Sequence, residues 1–471
     1  MLRLPILAAL AFCLLPSYFC LSQDVTIKGK ADPTYLSETN TIYAFTYDDY
    51  ISYKEKELAN STLDPKGNFN LNFSVSQPTY IFLMIDNARA DMVVEPGKTY
   101  NINFLKKDSD AVNTLSVSVP VEIEFNNSDR NELNALMADF SSRYEAFLEY
   151  NRALIAKKDP AIFGRIDTMQ TLSKEKYSAY KNAYLNNYIG YTFASLADNI
   201  TLKEKTKMMK KYIAGKPLQL NNYDYMAFVN QFLSITADHL SSSNGMSNEI
   251  DNSQSFSSAM NYIKLKTSFS DTLGEVLLLK TLSQSLRFPA YKTNAVLIVL
   301  DQAAKECKST ENRRSAENIK KKLSVMNVGK PAPALSFQDK DGKTVSLADF
   351  KGKYVYLNFW ASWCSSCTQE MMLIPDLKKQ YGGKIIFVSI SVDKKIDAMK
   401  NFLKKNPKLD ADKVGPGWSF LYCDNYKKAK EDFNVLTVPT YYLIDPKGNV
   451  MRSPAVNPGE VEPLFNSIKK R

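Results

Sequence analysis

Residues 354–370 read YVYLNFWASWCSSCTQE. Tyr354–Phe359 is an almost unbroken run of aromatic, β-branched and aliphatic residues, which predicts a strand buried on both faces. Trp360-Ala361-Ser362-Trp363 leads out of it, and from Ser365 to Tyr381 the pattern predicts a helix. Cys364 and Cys367 stand at the start of that helix. Two intervening residues place their sulfurs one turn apart on one side, within bonding reach. A sulfur at a helix N-terminus meets unpaired N–H groups and the positive end of the dipole. Both favour the thiolate, so Cys364 is expected to ionise below the free-thiol value of about 8.5.

Outward from this stretch the pattern is α/β. Gly329-Lys330-Pro331-Ala332-Pro333 reads as a linker, and Leu335–Phe337 with Thr344–Leu347 as a hairpin about Asp341-Gly342. Lys384–Val392, Ser419–Tyr422, Thr440–Ile444 and Val450–Arg452 read as strands, the last two around the Asp445–Asn449 turn. Helices are expected over Ile396–Lys405, Lys427–Phe433 and Val461–Lys470. Alternating strands and helices that close on an antiparallel pair describe a sheet covered on both faces.

The phrases GKPAPALSFQDKDGKTVSLADFKGKYVYLNFWASWCSSC (329–367) and FNVLTVPTYYLIDPKGNV (433–450) resemble the TlpA/ResA branch of the thioredoxin superfamily, a domain of AhpC/TSA–redoxin type. The resemblance implies a protein-disulfide oxidoreductase that works by dithiol exchange without cofactor or metal. Its substrates would be protein disulfides, and its electron donor a membrane protein of the DsbD or CcdA kind. It also implies residue roles. Cys364 is the exposed nucleophile and Cys367 the resolving thiol. Glu370 matches the acidic residue that exchanges a proton with the second cysteine. Pro439 takes the place of the cis-proline and presents Val438 to an extended substrate segment. Trp363 shields the disulfide and Trp360 packs beneath it. Asn358 stands where thioredoxin has a buried aspartate. Two departures stand out: Met372 replaces the usual helix proline, with Pro375 following, and Ser365-Ser366 is neither Gly-Pro nor Pro-His.

The rest of the chain reads differently. From Gln23 to Val121 the pattern is strand-like. Val25–Gly29 and Phe69–Phe73 alternate, Tyr80–Ile85 is a more buried run, and Met92–Val94 leads through Glu95-Pro96-Gly97 into Tyr100–Phe104. Short strands with Pro/Gly turns between them suggest a β-sandwich. Its layout and the phrase EPGKTYNI (95–102) resemble small β-domains that precede thioredoxin modules in Gram-negative envelope proteins. From Glu122 the period is helical. Leu133, Leu136, Met137 and Phe140 recur at helical steps, as do Met226, Phe228, Phe232 and Ile235, and Asn294–Lys308 adds another helix. Tyr144, Phe147 and Tyr150 form an aromatic stripe read as core packing, while Gly164, Gly190 and Gly215 read as punctuation. The expected division is a leader over 1–22, a β-sandwich-like domain over 23–121, an all-α domain over 122–326 and a thioredoxin-like α/β domain over 327–471.

Arg3, the apolar run Leu4–Leu15, Pro16 and the small residues around Cys20-Leu21-Ser22 read as an export signal cleaved before Gln23. This places the protein in the periplasm or cell envelope of a Gram-negative type cell, with a lipid anchor on Cys20 as the alternative. Cleavage removes Cys13 and Cys20 and leaves Cys307, Cys364, Cys367 and Cys423, too few for a disulfide-stapled scaffold. A Cys307–Cys423 disulfide is an open alternative to two buried thiols.

The net charge of +10 comes from 60 basic and 50 acidic residues spread along the chain, which describes a solvated surface without a nucleic-acid motif. The single histidine, His239, argues against multi-histidine metal sites and leaves serine–histidine catalysis a single candidate, which reads as a surface or core residue with no catalytic duty. Within dithiol chemistry the resemblance favours reduction. A disulfide oxidase or isomerase, a peroxiredoxin-like peroxide reductase, and a scaffold with a redox tether stay open beside it. Oligomeric state is not legible.

Overall fold

A computed structural model of the chain describes residues 22–37, 40–85, 88–106, 118–126, 129–200, 205–267, 269–285, 291–334, 336–393, 395–409, 417–423, 432–435 and 438–469. The expected leader, with Cys13 and Cys20, and most of the expected helix Lys427–Phe433 lie outside the described residues. By contacts the chain divides into two units. One holds the segments up to Thr46, Lys56–Lys106 and Pro120–Ser141, and the other holds Tyr47–Glu55, Lys107–Val119 and Ser142 onward.

The first unit, with the end residues Tyr47, Glu55 and Val119 falling to the other, is built from β1 (Gln23–Ala31), β2 (Thr41–Tyr47), β3 (Glu55–Thr62), β4 (Asn68–Val75), β5 (Thr79–Ile85), β6 (Ala88–Val94), β7 (Thr99–Phe104), β8 (Val119–Pro120) and β9 (Ile123–Phe125). They form two sheets, ordered β4-β1-β7-β9 and β3-β2-β5-β6-β8. Val25, Ile27, Leu71 and Ile102 of the first sheet share one apolar cluster with Ile42, Ala44, Ile81 and Leu83 of the second. Alternation along each strand supplies that cluster: in β1 Val25 and Ile27 are buried while Asp24, Thr26 and Lys28 turn partly or fully outward. The strands β2 and β3 were not read from the sequence. Glu55–Thr62 has only Leu58 and Ala59 as apolar residues, adjacent rather than alternating, and lies at the sheet's edge, where no apolar alternation marks it.

The second unit continues with helices α1 (Leu133–Tyr150, whose first turns belong to the first unit), α2 (Arg152–Ala156), α3 (Ala161–Tyr177), α4 (Ala183–Ile200), α5 (Lys205–Met208), α6 (Tyr223–Ser242), α7 (Asn244–Ser253), α8 (Phe256–Thr267), α9 (Asp271–Gln284), α10 (Thr293–Glu306) and α11 (Thr310–Ser324). Met226, Phe228 and Phe232 are buried as their spacing predicts, whereas Ile235 is exposed. Tyr144 and Phe147 pack edge-on against Phe193, but Tyr150 at the helix end is 80% exposed and is not core. Gly164 and Gly190 do not punctuate: they lie inside α3 and α4. A helical glycine costs about 1 kcal/mol relative to alanine, and burial of Ile162, Ile166, Leu185 and Ile189 around them outweighs it. Among the described residues no helix is long and apolar enough to cross a membrane.

The C-terminal residues form a seven-stranded sheet from β10 (Ser336–Asp339), β11 (Thr344–Ser346), β12 (Tyr354–Trp360), β13 (Ile385–Ser391), β14 (Trp418–Tyr422), β15 (Thr440–Ile444) and β16 (Val450–Arg452), ordered β11-β10-β14-β13-β12-β15-β16. β12, β13 and β14 are mutually parallel, while β15 runs antiparallel to β12. Central β12 is buried on both sides. Tyr356 and Trp360 enter one apolar cluster, and Val355, Leu357 and Phe359 the other.

The flanking helices are α12 (Ser365–Met371), α13 (Ile374–Tyr381), α14 (Ile396–Lys405) and α15 (Glu462–Lys469). One helix over Ser365–Tyr381 was expected, and the structure has two. Pro375 offers no N–H and its ring would meet the Met371 carbonyl four residues back, so the helix ends there and restarts with proline in its first turn.

Candidate active site

The site begins where β12 ends. Val392 donates its N–H to the Trp360 carbonyl at 2.8 Å, and Cys364 donates to Ala361 O at 3.0 Å, closing a tight turn after the strand. Asp393, just beyond β13, is buried and fixes this turn from the side. Its carboxylate accepts the Ser362 N–H and hydroxyl and, on the other oxygen, the Ser391 hydroxyl.

Cys364 is the N-cap residue of α12, and its Sγ accepts the Cys367 N–H at 3.2 Å. The two cysteines are joined in a disulfide. One expectation is corrected here: Cys364 is not exposed. It is 1% accessible and Cys367 is fully buried. The bond draws the Cys364 sulfur over the first helical turn, into the cluster that includes Trp360, Ala361 and Met371. Trp363 is the neighbour that faces solvent, at 54% exposure.

Beneath the cysteines lies a polar row within an apolar floor. Trp360 is buried against Phe402 and Phe420, with ring centroids 5.0 and 6.0 Å away. Asn358 stands in register between Ser389 of β13 and Tyr441 of β15. Trp418 Nε1, which can only donate, bonds Ser389 Oγ at 2.9 Å, so the serine hydroxyl donates onward to Asn358 Oδ1 at 2.6 Å. That fixes the amide's orientation. Asn358 Nδ2 and Trp360 Nε1 are buried without a hydrogen-bond partner among the described residues.

Glu370 lies one turn after Cys367 on α12, and its Oε2 accepts the Tyr441 hydroxyl at 2.6 Å. Burial, then the adjoining carboxylate, push the Tyr441 phenol well above its usual range, so it stays a donor. Tyr441 stacks on Tyr356 at 5.5 Å, and the Tyr356 hydroxyl donates to Val456 O at 2.7 Å.

The Val438–Pro439 peptide is cis. Both residues directly precede β15, whose Thr440 pairs with Phe359 of β12, and the partly buried Val438 packs against both apolar clusters of the sheet. Cys364, Cys367, Glu370, Trp360, Asn358, Val438 and Pro439 thus converge on one end of the sheet, with Trp363 beside them. His239 is exposed on α6.

Cys307 and Cys423 are not bonded to each other. Both are buried thiols, one in the helical core and one on the opposite sheet face from the disulfide. Sequence reasoning missed Asp393, Ser362, Ser389, Trp418 and Tyr441. Only the buried-strand context of Ser389 and Ser391 hinted at polar groups in need of partners.

Residues 328–453 match the AhpC/TSA family. The chain is 33% identical over 128 residues to the thiol-disulfide oxidoreductase ResA of Bacillus thuringiensis subsp. konkukian, covering 27% of this chain and 69% of that protein. It is 36% identical over 129 residues to the thioredoxin-like protein YneN of Bacillus subtilis, covering 27% and 71%. Among solved structures, a thiol:disulfide interchange protein from Bacteroides sp. is 27% identical and covers 31% of this chain and 89% of its own, with a TM-score of 0.25.

Proposed function

This chain belongs to the thiol-disulfide oxidoreductase family that includes the ResA proteins, with a thioredoxin-like C-terminal domain, and on that premise we propose that it reduces protein disulfides in the cell envelope through Cys364 and Cys367. The observation that carries the reading is the disulfide itself, set on the first turn of α12 with the Cys367 N–H directed at the Cys364 sulfur.

In the reduced protein the Cys364 thiolate attacks one sulfur of a substrate disulfide. A Cys364–substrate mixed disulfide forms and one substrate thiolate leaves. Cys367 passes its proton to Glu370, and the resulting thiolate attacks the Cys364 sulfur. The intramolecular disulfide forms and the second substrate thiolate leaves. The substrate has gained two electrons and the cysteine pair has lost two, with protons from Glu370 and solvent completing the substrate thiols. A dithiol donor in the membrane, of the DsbD or CcdA kind, restores the pair by the same exchanges in reverse.

Val438 and Pro439 flank the extended substrate segment, and Trp363 covers the sulfurs until it binds. Trp360 and Asn358 support the floor. In this proposal residues 327–471 are the catalytic domain, preceded by a β-sandwich over 23–121 and a helical domain over 122–326, and the chain is exported through its leader at 1–22.

The test is a Cys367→Ala variant exposed to an envelope extract. Substrates should accumulate as mixed disulfides on Cys364, released by reductant and absent when Cys364 is also replaced. Absence of any trapped species in the single variant contradicts the proposal.

A further inference from the structure

We propose that Tyr441 is a positioning residue for proton transfer at the buried cysteine: its hydroxyl holds the Glu370 carboxylate on the face of α12 that carries Cys367, so that the carboxylate can take the proton of that thiol. This rests on the reading of Glu370 as the proton acceptor of Cys367.

Cys367 and Glu370 stand three residues apart on α12 and therefore share a face. Glu370 is near the end of that seven-residue helix, one residue before the segment is broken ahead of Pro375. It is only partly buried, and a glutamate so placed has several rotamers that turn it into water. The Tyr441 hydroxyl selects among them. At 2.6 Å the contact is a short O–H···O hydrogen bond.

The donor itself is immobile. Tyr441 is 4% exposed, in a strand paired on both sides, and its ring stacks on Tyr356 with planes 14° apart. It remains protonated across the working pH range, because burial and the neighbouring carboxylate both oppose its ionisation. Tyr441 engages Oε2 and leaves the second carboxylate oxygen to receive the proton. Among the described residues, the titratable groups that face Glu370 are Tyr441 on β15, Tyr356 on β12 and Cys367 on its own helix.

The experiment follows the two phases in which the reduced protein reacts with 5,5′-dithiobis(2-nitrobenzoate). In the first, Cys364 forms a mixed disulfide and releases one nitrothiobenzoate. In the second, the Cys367 thiolate closes the intramolecular disulfide and expels the other. Tyr441→Phe should leave the first phase unchanged and slow the second by about tenfold at neutral pH, the size of one hydrogen bond to a charged group. Its acid limb should also move to higher pH, because a carboxylate that loses a donor releases its proton less readily.

Glu370→Gln should slow the second phase at least as much, and adding Tyr441→Phe to it should slow it no further. Glu370→Asp, which draws the carboxylate back from the hydroxyl without altering β15, should reproduce the pH shift. If Glu370→Gln slows closure while Tyr441→Phe keeps the wild-type rate or pH profile, the positioning role is wrong and the role of Glu370 stands. If Glu370→Gln closes at the wild-type rate across pH, both are wrong.

Discussion

Both carboxylate oxygens of Asp393 accept the Ser362 N–H at 3.0 Å, and one of them also accepts the Ser362 hydroxyl at 2.8 Å. The two residues lie 31 positions apart, and their contact ties the end of β13 to the turn that presents Cys364. The carboxylate is 3% exposed and is also bonded by the Ser391 hydroxyl. A buried anion of this kind is tolerated because several donors are aimed at it.

Asp393→Asn therefore replaces an acceptor oxygen with a donor that faces other donors. The expected loss is about 1.5–3 kcal/mol, the range for hydrogen bonds to charged groups. Equilibrium urea unfolding of the oxidised protein measures it, and a change below about 0.5 kcal/mol, the size of a neutral surface substitution, would contradict the assigned anchoring role.

Cys307, Cys364, Cys367 and Cys423 should separate by reactivity. Cys307 and Cys423 are buried thiols outside any disulfide. Burial, and after it the Glu275 carboxylate, raise the Cys307 thiol above its ordinary value, so native protein at pH 8 should resist alkylation there. Peptide mapping of unfolded, unreduced protein should find label on Cys307 and Cys423, and on Cys364 and Cys367 only after reduction. Label on Cys364 before reduction would show that the pair is not the protein's stable disulfide.

Asp224, in the first turn of α6, carries a carboxyl pushed up to about 6 by burial, with Tyr184 hydrogen-bonded to it and one oxygen without a hydrogen-bond partner among the described residues. Its folded value lies above the unfolded value of about 3.9. The folded state thus holds this proton more tightly, and the associated stability is present below about pH 4 and lost as pH rises through 6. Asp224→Asn should remove that dependence. Relative to wild type, its unfolding free energy should improve by on the order of 2 kcal/mol between pH 4 and pH 7. Parallel pH profiles for the two proteins would refute the assignment.

Much of the C-terminal sheet was legible because its signals are local. Tyr354–Phe359 is apolar beyond what a surface strand allows, and Cys364 and Cys367 declare their relationship within four residues. The relation of Asp393 to Ser362 is not local. In sequence, Asp393 merely follows the expected strand Lys384–Val392, and only the parallel pairing of β12 with β13 brings its carboxylate to the cysteine turn. Tyr441 meets Glu370 across 71 positions for the same reason, through the antiparallel pairing of β15 with β12. The edge strand Glu55–Thr62 escaped notice because an edge needs no apolar alternation. The break after Met371 was foreshadowed by Pro375, whose missing N–H decides where α12 stops.

The most direct test is the equilibrium potential of the Cys364/Cys367 pair, titrated against glutathione or dithiothreitol and followed by thiol labelling. Reduction of protein disulfides predicts a reversible two-electron transition near −270 mV, the thioredoxin value. A transition near −120 mV, the value of the oxidant DsbA, or a disulfide that no dithiol can open, would contradict the account.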